Sequence, residues 1–273
     1  MTTTTEVEHV DLLIEESFET YHENRKTNLS SHALGDFRKS PLLYHQKKTG
    51  VIPAKDTAAY SVGRAAHTLI LEGPQVFDDT FAIGGPINPT TKKEYGSQTK
   101  KYAEWLVEQG KPAVTTEEFK MICEMKKSVN RHEIATQILA KGQAEGVARA
   151  KYMGIDCQVR PDWLHPIKGI LDVKTTEDIR WFEYDAGKKY KYIHQMAFYR
   201  EVIRIVRGEQ YPVYFLAVEK KPPYICGVWL IDESVLSIAK EENEVAMKRF
   251  KECMEIDTWP TGYEELITFD KVY

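Results

Sequence analysis

Two short stretches hold the residue types that could do chemistry: Arg160-Pro161-Asp162 and, ten positions beyond that aspartate, Asp172-Val173-Lys174. Residues two apart on a strand share a face, so Asp172 and Lys174 project together while Val173 points the other way. A hairpin from the preceding strand brings Asp162 beside them. Two carboxylates converging with a backbone carbonyl make a hard oxygen site suited to Mg²⁺ or Mn²⁺. A lysine next to such an ion can position a water or offset charge developing on a phosphate. An arbitrary D-x-K is commonly an exposed strand pair. Here the flank Ile170-Leu171 puts the charges in a strand that reads as buried, which is costly unless the site is used.

Other polar residues fall on helical patterns. Gln195 and Tyr199 are four apart and share a face, with Lys191 and His194 extending a polar patch along an otherwise apolar helix. His67 lies close to the apolar stripe of a helix over 61–72, where a lone histidine is commonly a satisfied core residue. Lys92, Lys93, Lys100 and Lys101, interleaved with Tyr95 and Tyr102, could contact DNA or a separated strand by charge and stacking.

The elements that must position these groups follow from periodicity. Residues before about 28 read as a dispensable arm with a few apolar positions, Val10, Leu12, Leu13 and Ile14. Ser30 is placed as a helix N-cap, and Pro41 divides the segment after it into two short helices. The helix over 61–72 stops at Gly73-Pro74, and 84–99 reads as a long surface loop. Helices are expected over 98–109 and 116–140, the second entered through Thr115-Thr116-Glu117-Glu118. Three short strands follow over 146–150, 155–159 and 169–174. A helix over 190–206, strands over 211–218 and 224–231, and a helix over 233–254 complete an α/β or α+β domain, residues 29–273, around one central mixed sheet.

Composition bounds the function. With 273 residues, 42% of them hydrophobic, the chain can bury a sizeable core. Thirty-seven Lys plus Arg against forty-one Asp plus Glu, a net charge of -4, exclude coating nucleic acid by bulk positive charge. Charge is nonetheless unevenly spread: residues 38–64 carry a local +5 and 180–207 a local +4, while 241–273 carry -5. A basic groove with an acidic back suits a DNA processor, because Lys and Arg supply the phosphate contacts; Arg64, Arg160, Lys191, Lys92 and Lys93 are the candidate DNA contacts. Cys123, Cys157, Cys226 and Cys253 form no C-x-x-C pair, and no G-x-x-x-x-G-K-[ST] phosphate loop is present. Neither a secretory signal nor a membrane span is read, so the expected location is the cytoplasm.

The ordered set Gly63-x-x-x-His67, Asp162, Asp172-x-Lys174 and Gln195-x-x-x-Tyr199 resembles the PD-(D/E)XK nuclease superfamily, in the branch with GxxxH and QxxxY helices shared by RecB-like nucleases. More narrowly, LSSHALGDFRKSPLLYH, VGRAAHTLILEGPQVFDDTFAI, VRPDWL, GILDVKTT and YIHQMAFYREVI resemble the exodeoxyribonuclease VIII (RecE-type) nuclease domain of phages and prophages over residues 29–270. The resemblance implies a Mg²⁺-dependent 5′→3′ exonuclease (Mn²⁺ as an alternative) that resects linear duplex DNA from its ends, leaving 3′ single strands for recombination. The implied setting is the cytoplasm of a bacterial host, with a single-strand annealing protein as partner and a ring-like homo-oligomer, a trimer or tetramer, around the DNA. It further implies His67, Asp162, Asp172 and the Val173 carbonyl as metal ligands, and Lys174 as the catalytic lysine. Gln195 and Tyr199 would line the site and orient substrate or Lys174, with Glu72 and Glu145 as weaker candidates. Asp172 stands where many superfamily members carry Glu. The four-cysteine iron-sulfur staple of helicase-associated and CRISPR-associated relatives is absent. Two competing readings remain: an endonuclease of restriction or repair type, and a DNA-end-binding subunit without hydrolysis.

Overall fold

The computed structural model describes residues 13–53 and 58–268, with side chains from residue 62 on after the break. Val10, Leu12 and Lys55 of the sequence reading lie outside these residues.

The sheet that carries the chemistry is built from β3 (Gln143–Ala144), β6 (Trp163–His165), β7 (Gly169–Thr176), β8 (Val213–Glu219) and β9 (Cys226–Leu230), in the order β3-β6-β7-β8-β9. Only the β7–β8 pair is parallel; its crossover is helix α10 (Tyr192–Arg207), as parallel neighbours require. The two central strands are buried on both faces. Ile170, Val213, Phe215 and Ala217 enter one core, and Leu171, Val173, Leu216 and Val218 the other, in strict alternation. On the first face pack α10, α2 (Ser31–Lys39), α3 (Pro41–Lys48), α11 (Glu233–Ile256) and the separate hairpin of β4 (Ala148–Tyr152) and β5 (Ile155–Val159). The second face is covered by α4 (Ala58–His67), α5 (Pro74–Thr80), α7 (Thr116–Arg131) and α8 (Glu133–Leu139). This is the α/β architecture with a mixed sheet between helical layers that the pattern of elements implies.

Local signals explain most boundaries. Ser30 accepts from the Ala33 N–H as N-cap of α2, Pro41 opens α3, and Thr115 with Glu118 closes a full capping box on α7. Gly169 starts β7 at φ +110°, where a Cβ would lie 2.1 Å from the Pro212 carbonyl oxygen that accepts from the Ile170 N–H. Only glycine permits that approach, so this residue fixes the register of β7 on β8.

Four expectations need correction. The helix over 116–140 is two helices, because His132 leaves helical geometry (ψ 108°) and caps α8 through its ring. The three strands after 146 are four: β6, three residues long, is too short to show alternation, and β4–β5 pair apart from the main sheet. The helix over 61–72 ends as an α-helix at His67 and continues as a π turn, Thr68–Glu72, in which the Gly73 N–H donates to the Thr68 carbonyl. The 84–99 loop is irregular as expected; Lys100–Gln109 (α6) follows it, and Ala82–Ile83 (β1) pairs with Ala113–Val114 (β2) at its base.

The fourth correction concerns the arm. From residue 13 it is packed structure: Gln143 satisfies both backbone groups of Leu13, Ile14 bridges to Val147, and Glu16 pairs with Arg149. α1 (Phe18–Glu23) follows, capped by Ser17, with Tyr21 buried and its carbonyl accepting from Gln158. The contacts are long-range and the apolar run is short, so no periodicity announced them. No helix among the described residues is long and apolar enough to cross a membrane.

Leu13 and Tyr21 are each 5% exposed, and burying one such side chain stabilises by about 1.5–3 kcal/mol. Deleting residues 1–28 is therefore expected to lower the melting temperature by about 5–15 °C. Thermal denaturation of the shortened chain checks this; an unchanged melting temperature would restore the dispensable arm.

Candidate active site

Antiparallel pairing of Trp163 with Leu171 sets Asp162, one residue before β6, beside Asp172. The Val173 N–H donates to Asp162 Oδ2 at 2.7 Å, and His67 Nδ1 lies 3.4 Å from the same oxygen. The Val173 backbone also lies against the His67 ring, where it favours the charged imidazole. Glu145 enters from the turn after β3 in left-handed backbone geometry (φ 54°), its N–H donating to the Asp162 carbonyl at 3.1 Å. His67, Glu145 and Asp162 each offer a ligand atom, all within 4.8 Å of one another.

Asp172 is 1% exposed, and Lys174 Nζ approaches its Oδ2 at 2.5 Å. Apart from that ion pair, neither Asp172 oxygen has a hydrogen-bond donor, and both are buried. Such an acceptor is expensive to keep dry. A hard divalent cation suits this donor set of carboxylates, an imidazole and a carbonyl, and would satisfy the orphaned oxygens.

The electrostatics agree. Desolvation and the Asp162 charge push Glu145 up to about 8. Burial raises Asp172 to about 6, against the pull of Lys174 and with the push of Asp162. Asp162 is also raised by burial, although Lys174 and the Val173 N–H oppose it. His67 falls to about 4 through desolvation and the Lys174 charge, leaving a neutral imidazole able to ligate. For Lys174 burial disfavours the charge, but Asp172 and Asp162 outweigh it, so the ammonium persists. Tyr199, buried beside these acids, is held well above its ordinary value and accepts from Gln195 Nε2 at 3.2 Å as a neutral phenol.

These groups line one cleft of about 690 Å³. Its wall includes Gly63, where a Cβ would meet no atom within 4 Å, so the glycine widens the cleft rather than relieving a packed contact. The π turn of α4 keeps Thr68 and Glu72 on the cleft with His67; wide turns of this kind recur at functional sites. Arg64 and Arg160 flank Phe18 of α1, their guanidinium carbons 5.5 and 5.6 Å from its ring centroid. The Arg160 Nε also meets a Glu145 carboxylate oxygen at 3.0 Å.

Of the candidate residues, His67, Asp162, Asp172, Lys174, Gln195, Tyr199, Arg64, Arg160, Glu72 and Glu145 line the cleft, and Val173 reaches it through its backbone. Glu145, the weaker candidate, joins the compact ligand cluster, whereas Glu72 stands outside it. Lys191, Lys92 and Lys93 are exposed and do not line the cleft, although Lys191 directly precedes Tyr192, which does. His194 turns from it to Glu242, 2.5 Å away, and Tyr102 is 5% exposed and cannot offer a face for stacking. Sequence reasoning missed Phe18, Tyr21, His22 and Arg25 of the N-terminal segment, His32 of α2, and Tyr192. Tyr192 alone carried a signal, in the run Lys188-Lys189-Tyr190-Lys191-Tyr192.

A buried acid cluster with a lysine on the central strand of a mixed sheet is the arrangement that defines a PD-(D/E)XK fold. The family described as PDDEXK-like domain of unknown function (DUF3799) matches residues 30–269, and the chain belongs to it. Among solved structures, the chain resembles one described as "Putative exonuclease" from Eubacterium rectale, with a TM-score of 0.66 at 15% identity over 95% of this chain and 97% of that one. The alkaline exonuclease LHK-Exo of Laribacter hongkongensis, alone and in complex with dAMP, aligns over 59% of this chain and 85% of its own, at 15% identity and a TM-score of 0.32. A search of curated proteins finds no match.

The raised carboxyls give a pH-dependent test. A carboxyl whose folded pKa exceeds its unfolded value, near 4, stabilises the fold below that value and loses this contribution as pH rises through the folded pKa. For Asp172 and Glu145 those values are about 6 and about 8. Below about pH 6.5 this loss is opposed by His67 and His32, whose values near 4 add stability as pH rises. Between about pH 6.5 and pH 8 metal-free protein should therefore lose stability through Glu145, and Mg²⁺ or Mn²⁺ should restore it increasingly over that interval, by about 5 °C near pH 8 at saturating ion. Thermal melts with EDTA and with each ion check this. A gain independent of pH, or one retained in Asp162→Asn/Glu145→Gln, would contradict a metal bound here.

Proposed function

We propose that this chain is a divalent-metal-dependent nuclease that degrades linear duplex DNA from its ends. The observation that carries the reading is the buried, donor-starved Asp172 paired with Lys174, beside Asp162, His67 and Glu145, at the base of a cleft. His67, Glu145, Asp162, Asp172 and the Val173 carbonyl are the groups that would hold Mg²⁺ or Mn²⁺. A cation there supplies Lewis acidity toward a phosphodiester oxygen.

The remaining roles belong to side chains. Lys174 keeps a positive charge in a water-poor site, where it offsets negative charge developing on the scissile phosphate far better than an exposed lysine. Asp172 holds that ammonium at 2.5 Å and so fixes where the charge sits. Gln195 and Tyr199 brace each other on α10 and present polar groups to the substrate. Arg64 and Arg160, pinned against Phe18, supply cations for flanking phosphates.

Exonuclease rather than endonuclease action, 5′→3′ polarity and a role in recombination rest on the resemblance to RecE-type enzymes. The Eubacterium rectale protein described as "Putative exonuclease" shares the fold over nearly its whole length, and its description supports exonuclease action but neither the polarity nor the recombination role. On this reading the protein acts with a single-strand annealing recombinase, as a ring-like oligomer in a bacterial cell.

Linear duplex labelled at either 5′ or 3′ ends, beside a closed circular control, is the direct test. The expected result with Mg²⁺ is early release of the 5′ label, an intact circle, and no release in EDTA. Asp172→Ala and Lys174→Ala should each lower release at least about 100-fold. Cutting of the circle would favour an endonuclease, and duplex binding without release under Mg²⁺ or Mn²⁺ would favour a non-hydrolytic end-binding protein.

A further inference from the structure

Beyond the acid cluster, the cleft has an aromatic exit. Lys174 Nζ stands 4.5 Å over the Tyr192 ring, and Tyr192 stacks on Tyr190 with centroids 5.1 Å apart and planes at 17°. Tyr192 lines the cleft; Tyr190 is 50% exposed. The contacts therefore run without a break from Asp172 through Lys174 and Tyr192 to a ring in water.

Residues two apart do not face each other on a regular helix. Tyr190 and Tyr192 meet because Lys191 between them is left-handed, at φ 57° and ψ 37°. For a residue other than glycine that geometry is sterically unfavourable, and its commonest excuses, glycine or asparagine, are absent. Lysines adjoin the outer ring in sequence. Lys188 and Lys191 are exposed with no carboxylate in ion-pair range among the described residues, and Lys189, 3.8 Å from Asp185, rests its ammonium 4.8 Å over Tyr190.

We propose that Tyr192 and Tyr190 form a stacking lane for single-stranded DNA, with Lys188, Lys189 and Lys191 on its phosphates. The lane deepens the nuclease reading and rests on it: it receives the strand adjoining the scissile phosphate. A base stacked on an aromatic side chain outweighs an exposed cation–π contact. An arriving base thus displaces the Lys189 ammonium, which turns to the backbone. Stacking accepts any base, so the lane reads no sequence. The cationic run favours a nucleic acid over a protein partner, because the half-exposed Tyr190 carries Lys189 over its ring and is flanked in sequence by exposed Lys188 and Lys191 rather than by apolar residues.

The test is binding of a fluorescent oligothymidylate, and of the same backbone without bases, to the full chain in EDTA by anisotropy. Wild-type protein should bind the oligothymidylate more tightly than the abasic strand. Tyr190→Ala should weaken oligothymidylate binding about 5- to 100-fold and abolish the difference, while Tyr190→Phe keeps it. Lys188→Ala/Lys191→Ala should lower the salt slope of binding by about 1.4 while the preference for bases persists. Equal affinity of wild type and Tyr190→Ala, or equal affinity for both strands, overturns the lane. Nucleotide release from linear duplex is scored separately. Release without a Tyr190 effect on binding overturns the lane alone; Tyr190-dependent binding without release supports the lane as a binding surface and overturns the nuclease reading.

Discussion

The structure depends on a charge that the fold keeps dry. Asp172 sits on a central strand buried on both faces, and apart from the Lys174 ion pair its oxygens have no hydrogen-bond donor. Left alone, such a carboxylate would be neutral or would drive the strand apart. Three features hold it in place. Lys174, two residues along the same strand, supplies the opposing charge; the β6–β7 register sets Asp162 alongside; and Gly169 locks β7 against β8. The cost is tolerable because the rest of the strand, Ile170, Leu171 and Val173, is packed in two cores.

The same constraint orders the surroundings of the cleft. Acids near one another lift each other's pKa, so the cluster gains from the counter-charges that Lys174 and Arg160 supply. His32 and His67 are both pulled to about 4, each by desolvation and then by the Lys174 charge. Arg160 faces Glu145 on one side and the aromatic rings of α1 on the other. The N-terminal segment thereby belongs to the site: its Phe18 lies against both arginines that line the cleft.

How much of this was legible follows from how each residue signals. The strand GILDVKTT declared itself because charges interrupt an apolar run, and helical spacing put Gln195 and Tyr199 on one face; His67, which spacing alone reads as a core histidine, entered the site only through the resemblance of the ordered motifs. Both cues are local. Glu145 gave none: its place depends on a left-handed turn and on a hydrogen bond to the Asp162 carbonyl. Phe18 and Arg25 reach the cleft through packing across more than a hundred positions, between Leu13 and Gln143 and between Tyr21 and Gln158. Lys92 and Lys93 illustrate the opposite error, since a basic run reports composition and not placement. The fold was read better than the site because two buried faces repeat a pattern over many residues, whereas one ligand needs only one turn.

The central claim is that the acid cluster around Asp172 is a metal centre. Its most direct measurement is anomalous diffraction from crystals grown with Mn²⁺. The account predicts a manganese peak among His67, Glu145, Asp162 and Asp172, with the ion lost in Asp162→Asn. A protein that stays free of manganese at this cluster, or binds it elsewhere while the cluster remains protonated, would contradict it.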